Sequence, residues 1–324
     1  MKDKVLAESA RRFIQKNVVL MAFLMAIAIF AINIVVNPAS LNKNAIGSVL
    51  ALTALLAISG AGQTLVVLTG SGIDLSAGSI MSLTGIIAVQ IMNGKSQGIG
   101  MCFLLSVVIG AALGFCNGIG VTKIKLPSMI ITYAMSNVIT RLQFIVTSGK
   151  PTGSAAPALT AALSYRVFGV FPAIMFYCIG LSVLLLVLLR HTKYGHRLYL
   201  VGDSASVAHY TGINNNKVVV LTYVISGILY GLAGLIGAGY FTYISCAMLD
   251  VYTMQSIVAV VIGGAALTGG KGTYYGTIAG ALFIVVLNNC LSVLNVKDSV
   301  QNIIMGLVII GVLTLYNRDK GVRT

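Results

Sequence analysis

Charged side chains are scarce in this sequence, and acidic ones are the scarcest. Asp, Glu, Lys and Arg make up 9% of the 324 residues, and only seven residues are acidic. Soluble domains carry about 25% charged residues, so a soluble globular domain is excluded. With 57% apolar residues, the composition predicts a polytopic all-α membrane protein surrounded by a lipid bilayer.

The few carboxylates lie near the ends of apolar runs or in loops, and none forms a pair inside a run. Carriers driven by protons or sodium ions usually need ionisable groups or dense oxygen ligands at membrane depth. An ATP-independent secondary carrier is therefore disfavoured, but it stays open as an alternative. A membrane enzyme is disfavoured as well, because no set of acid, base, metal ligand and nucleophile converges.

A phosphate-binding P-loop is also missing. That motif requires G-x-x-x-x-G-K-[ST]. Here Gly270–Lys271 is followed by glycine, and Gly94–Ser96 has Val89 in the place of the first glycine. We therefore expect no ATPase site and no catalytic residue in this chain.

Metal ligands and nucleic-acid motifs are absent too. The five cysteines form no C-x-x-C pair and mostly lie in apolar runs, which indicates packing residues. The three histidines fall in one polar loop, so we expect neither a metal site nor a cofactor. The net charge of +14 is spread over short intervals between apolar runs, which does not indicate a nucleic-acid partner.

Long apolar runs dominate what is present. A helix needs about 20 apolar residues to cross a bilayer core of about 30 Å. The ten candidate spans cover residues 18–36, 46–69, 75–92, 100–121, 127–148, 172–189, 218–240, 251–268, 275–294 and 300–316. Glycine-rich stretches in the second and eighth runs predict bent, broken or re-entrant segments.

The distribution of basic residues predicts the orientation. Most of the 21 Lys and Arg residues fall on one side if the N-terminus is inside, so both termini are expected in the cytoplasm. The first residues are basic and lack a signal-peptide cleavage site, which predicts a retained first span. The expected organisation is a cytoplasmic segment at residues 1–17, a transmembrane domain at residues 18–316 and a cytoplasmic tail at residues 317–324.

The longest polar interval, residues 190–217, lies between the sixth and seventh spans. Within it, Asp203 and Ser204 can cap the start of a helix, and Gly212 can end one in the left-handed conformation. We expect a short exposed helix of about two turns between them. Such a helix is not stable alone in water, so its own loop or a docked partner must hold it. An ordinary juxtamembrane loop is the alternative.

Three glycine-rich breaks lie near the predicted cytoplasmic face, at Thr69–Ser79, Gly114–Gly120 and Ile262–Thr277. In the first, Asp74 is expected to be the N-cap of the third span. The residues predicted to act as hinges or gates are Gly70, Gly72, Asp74, Gly269, Gly270 and Gly272. Tight packing of helices is the alternative explanation for these glycines.

Neutral polar side chains occur inside the apolar runs. Amides donate and accept hydrogen bonds, so they suit an uncharged solute that is rich in hydroxyl groups. The residues predicted to line a solute path are Gln63, Asn117, Asn137, Arg141, Gln255, Asn288 and Asn289. Hydrogen bonding between helices is the alternative role for each amide, and bonding to helix-end carbonyls or to Asp250 is the alternative for Arg141.

Several motifs together carry a family resemblance over roughly residues 46–316. They are Gly72–Ser76, Asn117–Gly118, Gly202–Asp203, Gly212–Asn214, Val261–Gly264, Gly269–Thr273, Gly276–Thr277 and Asn288–Asn289. In this combination the chain resembles the membrane permeases of sugar-type ABC importers, the family of the ribose and autoinducer-2 permeases.

The resemblance implies an assembly in the plasma (inner) membrane. Its expected partners are cytoplasmic ABC ATPase subunits, a second permease copy or a sister permease, and an extracytoplasmic solute-binding protein. It also implies that the polar loop holds the coupling helix that seats in the ATPase. The residues implied for this helix are Asp203, Ser204, Val207, Ala208, Tyr210, Gly212 and Ile213.

The implied solute is small and hydroxylated, such as a pentose, a hexose or autoinducer-2. A nucleoside or a branched-chain amino acid remains an alternative. One stretch departs from the family pattern. Where members often carry G-Y-E-L-D-A-I, this chain has Val251–Ile257, with Thr253 and Gln255 in the places of acidic residues. This departure is compatible with one half of a heterodimeric permease pair.

Overall fold

The computed structural model describes residues 17–317. This part of the chain consists of α-helices joined by short loops, with one small β-ribbon. In chain order the helices are α1 (Val18–Val36), α2 (Lys43–Leu68), α3 (Ala77–Met92), α4 (Ile99–Ile119), α5 (Ser128–Thr147), α6 (Pro157–Ser164), α7 (Ala173–His191), α8 (Lys193–Asp203), α9 (Ala205–Tyr210), α10 (Asn215–Phe241), α11 (Val251–Ile262), α12 (Tyr274–Val293) and α13 (Asp298–Asn317).

The ribbon joins α6 to α7. Strands β1 (Arg166–Val167) and β2 (Phe171–Pro172) pair antiparallel, with Arg166 opposite Pro172. The Arg166 guanidinium donates a 2.7 Å hydrogen bond to the side-chain oxygen of Asn44, which attaches the ribbon to the start of α2. Two residues per strand leave the all-α class unchanged.

Each predicted span coincides with a helix, so the polytopic all-α fold is confirmed. Seven helices are long and apolar enough to cross a bilayer: α1, α2, α4, α5, α7, α10 and α12. The remaining spans correspond to shorter apolar helices, namely α3, α11 and Ser299–Val308 within α13. The predicted cytoplasmic ends at residues 1–16 and 318–324 lie outside the described residues.

Two of the predicted breaks are wrong. Helix α2 runs for 26 residues without interruption, and its glycines lie inside a continuous helix. Helix α4 continues through Ile119 and then widens into a π-helical turn at Gly120–Ile124, so Gly114–Gly120 is no break. The eighth span is interrupted as expected, because α11 ends at Ile262.

The glycines of α4 serve close packing. Gly110 and Gly114 lie four residues apart on one helical face, where they meet the backbone of α10. A Cβ at Gly110 would collide with the carbonyl of Gly227, and one at Gly114 with the carbonyl of Tyr223. Small residues at this spacing let two membrane helices approach closely, so packing rather than a break accounts for these glycines.

The loop between α2 and α3 turns back into the bundle. In the amide orientation that gives both its nitrogen and its oxygen a partner, Gln63 donates to the backbone carbonyl of Asp74 at 3.1 Å. It accepts from the Asp74 N–H at 3.0 Å. Because Gln63 lies five residues before the end of α2, Asp74 returns roughly 7 Å along the helix axis. Residues 69–76 therefore form a re-entrant segment that begins a short α3.

A second irregular segment, residues 242–250, packs against the first turn of α3. Side chains of neighbouring helices accept hydrogen bonds from its backbone N–H groups. Ala247 N–H donates to Gln143 Oε1 at 2.8 Å, and Leu249 N–H donates to Ser82 Oγ at 3.0 Å. A Cβ at Gly78 would lie 2.6 Å from the Cα of Asp250. Irregular backbone at membrane depth is tolerated where protein shields it, and these contacts provide that shielding.

Candidate solute cavity and coupling face

A cavity of about 950 Å³ lies between α2, α11, α12 and α13. Its walls combine apolar side chains with hydroxyls and amides. The polar lining residues are Ser48, Gln255, Asn288, Asn289, Ser292, Gln301 and Asn302. None of the described lining residues carries a charge. This volume is in the range of small-molecule sites. We call this space the solute cavity.

Most of these amides have unused hydrogen-bonding groups. Gln255, Asn288 and Asn302 have no hydrogen-bond partner among the residues that the structure describes. Gln301 uses its NH₂ group, which donates to the Val296 carbonyl at 2.8 Å. Asn289 uses its oxygen, which accepts a 2.7 Å bond from Asn33 of α1. The solute cavity thus offers both donors and acceptors to a neutral ligand.

The structure brings together three of the seven residues predicted for the solute path. Gln255, Asn288 and Asn289 share the cavity. Asn137 and Arg141 lie instead on an exposed face of α5. The Asn137 amide bonds its own helix at the Tyr133 carbonyl. Arg141 has no hydrogen-bond or ion-pair partner within the described chain.

Gln63 and Asn117 belong to a buried network around the re-entrant loop. The Asp74 carboxylate accepts from the Ser76 hydroxyl at 2.6 Å and from the Ser76 N–H at 2.8 Å. Asn117 of α4 donates to the same hydroxyl at 2.8 Å. The N-cap of α3 is Ser76, so the prediction of Asp74 at that position is wrong by two residues. The carboxylate instead bonds the capping residue and holds the loop against α4.

The short exposed helix is present in the polar loop as α9. Ser204 caps it, accepting a 3.3 Å bond from the Val207 N–H, and Gly212 follows with a left-handed φ of 81°. Helix α9 has six residues, shorter than expected. Asp203 does not cap it, because this residue ends the preceding helix α8.

Helix α9 presents an exposed apolar surface. Ala208 faces the protein and is buried, whereas Val207 is 56% exposed and Tyr210 is 89% exposed. Ile213 lies beyond the helix, where its N–H donates to the Ala208 carbonyl at 3.0 Å. The Asn215 side chain donates to the Ala205 carbonyl at 2.7 Å, so the loop itself holds the helix in place.

Helix α8 was not predicted, although its pattern is visible in the sequence. Thr192 caps it, and Gly195, Leu198 and Val201 recur at helical spacing on its buried side. The Tyr194 hydroxyl bonds Thr222 of α10 at 2.8 Å, and the Tyr199 hydroxyl donates to the Gly272 carbonyl at 3.1 Å. Burial raises the pKa of both phenols, although nearby Arg190 opposes the shift at Tyr199. Both side chains therefore stay protonated and anchor α8 to the bundle.

Three glycine segments meet where α8 ends, at Gly70, Gly202 and Gly269–Gly270. We call this contact the glycine junction. The Gly270 N–H donates to the Leu68 carbonyl at 3.0 Å. A Cβ at Gly202 would collide with that carbonyl, and one at Gly270 would lie 2.7 Å from the Asp203 Cα.

Gly72 and Gly272, also predicted as hinges, lie close to the glycine junction with positive φ values of 105° and 144°. A Cβ at Gly72 would collide with the Ser128 hydroxyl, and one at Gly272 would lie 2.7 Å from the Ala265 Cβ. All five predicted hinge glycines thus occupy left-handed or close-packed positions. Their movement stays a prediction.

The glycine junction and the solute cavity lie at opposite ends of α2. Leu68 ends the helix at the junction, whereas Ser48, Val49 and Leu52 near its start line the cavity. At 1.5 Å per residue, the distance from Ser48 to Leu68 is about 30 Å, the thickness of a bilayer core. A bundle of membrane-spanning helices with a neutral polar cavity at one end and a short exposed helix at the other has the architecture of a transport subunit.

Comparison with known proteins gives the family. Residues 45–313 match the family described as "Branched-chain amino acid transport system / permease component". The ribose import permease protein RbsC of Escherichia coli (strain K12) is 31% identical over 306 residues, which is 93% of each chain. No solved structure matches the chain significantly.

Two further relatives are import permeases. The autoinducer 2 import system permease protein LsrC of Enterobacter sp. (strain 638) is 32% identical over 94% of this chain and 88% of its own. The fructose import permease protein FrcC of Rhizobium meliloti is 28% identical over 95% and 88%. The chain therefore belongs to this permease family and is a multi-pass membrane transport component of the sugar-type ABC importer class.

Proposed function

We propose that this permease moves a small, neutral, hydroxylated solute through the solute cavity. The observation that carries the proposal is a cavity with no charge among its described lining residues and with three amides, Gln255, Asn288 and Asn302, that have no partner in the described chain. Hydroxyl groups both donate and accept, so they match such a surface. The relatives named for ribose, fructose and autoinducer 2 support the same solute class.

A branched-chain amino acid fits the cavity less well. Its carboxylate and ammonium groups would lose water and meet no opposite charge on the described lining residues. Burying a charge without a partner is costly. The family description includes such solutes, but the chemistry of this cavity favours a sugar. A nucleoside, which is also neutral, is the second solute to test.

Asn288→Leu tests the cavity directly. Its amide has no described partner, so the change removes a solute contact while keeping a similar volume. We expect the KM for uptake to rise about tenfold, the equivalent of one hydrogen bond. Uptake of labelled D-ribose, D-fructose and adenosine is measured in cells that also express the partner ATPase and binding protein. Unchanged KM values for every transported solute, both in this variant and in Asn289→Leu, would remove the cavity from the path.

We further propose that α9 is the coupling helix and seats in a separate ATPase, because this chain has no P-loop of its own. Its exposed Val207 and Tyr210 suit an apolar groove, and its base connects through Asp203 to the glycine junction. The proposed orientation places α9 and both chain termini in the cytoplasm of a cell with this protein in its plasma (inner) membrane. A second permease, either a copy or a sister chain, and an extracytoplasmic binding protein complete the proposed assembly.

Tyr210→Ser tests this docking. Because the side chain is 89% exposed, the variant should insert and melt like the wild type, but co-purification with the ATPase should fall at least tenfold. Leu200→Ser on neighbouring α8, another exposed apolar residue, is the matched control and should retain the ATPase. Solute uptake by the purified chain in liposomes, with an ion gradient and no ATPase, would instead identify a secondary carrier.

A further inference from the structure

Asn33 is an unusual residue in α1. Every other residue of this helix is apolar, and its buried residues are Ala22, Ala26 and Asn33. The Asn33 side chain has 0% exposure, so a primary amide lies entirely inside the protein near the end of a span. Burying an amide without partners costs several kcal/mol. A buried amide at this position therefore needs a hydrogen-bond partner nearby.

The partner of Asn33 belongs to the solute cavity. Its Nδ2 donates to Oδ1 of Asn289 at 2.7 Å, across 256 residues of sequence. Asn33 Oδ1 has no partner in the described part of the chain. This orientation leaves one buried acceptor unpaired. The reverse orientation would bury an NH₂ group with two donors at the same place, which costs more.

The bond determines which half of the Asn289 amide meets the cavity. Since Asn33 occupies Oδ1, the NH₂ group is the part without a described partner. Asn289 is half-buried and lines the cavity. Asn289 therefore offers mainly its NH₂ donors to the cavity, whereas its neighbour Asn288, which has no partner in the described chain, is free to present either half.

We propose that Asn33 is a positioning residue that sets the hydrogen-bond polarity of Asn289. Through it, α1 contributes to solute specificity without touching the solute, and Asn289 selects an acceptor oxygen on the solute. This inference rests on the proposed function of the cavity. Asn33 is not among the residues predicted from the sequence to line the path.

Asn33→Leu removes the bond at similar volume. We expect the KM for D-ribose uptake to rise about fivefold to tenfold, with the maximal rate, corrected for the amount of protein in the membrane, unchanged within twofold. The matched control is Asn37→Leu. Asn37 lies at the same helix end, and its side chain accepts from the Ala39 N–H outside the cavity. This control should leave KM unchanged. Asn33→Thr keeps a hydroxyl donor, so it should recover part of the affinity.

A double-mutant cycle separates positioning from packing. If Asn33 acts through Asn289, Asn33→Leu adds no further increase in KM to the Asn289→Leu variant. Independent, multiplicative effects would overturn the inference. So would a loss of protein from the membrane with unchanged KM in both Asn33→Leu and Asn33→Thr, because that pattern describes a packing role alone.

The two proposals fail in different ways. If Asn288→Leu and Asn289→Leu raise KM but Asn33→Leu does not, the cavity stands and the positioning role of Asn33 falls. If none of the three changes affects uptake of any transported solute, the cavity itself is not the path.

Discussion

The two ends of α2 differ in the groups that surround them, which are backbone atoms at one end and side-chain amides at the other. At the glycine junction, backbone meets backbone, and a Cβ at Gly202 has no room beside the Leu68 carbonyl. At the solute cavity, side chains meet open space, and several amides lack partners in the described chain. Backbone contacts have no rotamers, whereas amides can turn. We therefore call the glycine junction, where we propose that force arrives, the rigid end. We call the solute cavity, where we propose that solute binds, the adaptable end.

The largest expected effect comes from breaking the rigid end. Gly202→Ala places a methyl group against the backbone of Leu68 and Gly270. Because neither neighbour is a flexible side chain, we expect the free energy of unfolding to fall by more than about 3 kcal/mol, the upper range for overpacking. The melting temperature and the yield of monodisperse protein in detergent measure this loss.

Gly180→Ala in α7 is the control for that substitution. This glycine is also helical, but a Cβ there meets nothing within 4 Å. The control should melt at or slightly above the wild-type temperature, since alanine favours helix. Equal melting temperatures for the two variants would show that the glycine junction is loose.

A moderate effect is expected at the buried network between the two ends. Asp74→Ala leaves the Ser76 N–H and hydroxyl without their acceptor. Each unsatisfied buried group costs about 1–3 kcal/mol, so we expect a destabilisation of about 2–3 kcal/mol, seen as a lower melting temperature. Asp74→Asn keeps an acceptor oxygen and should lose less than half as much. Equal losses in the two variants would instead assign the effect to the charge.

The smallest effect on stability is expected at the adaptable end. Asn302 is exposed in the cavity wall and has no described partner. Asn302→Leu should therefore change the free energy of unfolding by no more than about 0.5 kcal/mol. Its uptake of D-ribose should nevertheless weaken. A large drop in melting temperature would place this amide in the structural framework rather than in the solute path.

Much of the fold follows from local signals in the sequence. Apolar length is a property of each run by itself, and it predicted every span. The cap at Ser204 and the left-handed Gly212 are local too, and they located α9. Helix α8 has an equally local pattern, but because its residues include several basic ones, the interval was predicted to be a loop.

The re-entrant loop and the cavity depend on contacts between distant residues. Gln63 and Asp74 were read separately, as a path residue and a cap, because only the folded chain shows that the amide holds the loop backbone. Asn33 was passed over, since its partner is 256 residues away. The amides of α11 and α12 were identified by their polarity alone. Nothing in the sequence shows that Asn137 of α5 faces outward whereas Asn288 of α12 faces a cavity.

The unbroken course of α2 has a mechanical consequence. An α-helix of 26 uninterrupted residues keeps its length when its end is displaced. A sideways displacement of Leu68 must then reappear as a swing of Ser48, in the opposite direction if the pivot lies between them. A shift of an ångström at the glycine junction would then move the wall of the solute cavity, which lies about 30 Å away along the same uninterrupted helix.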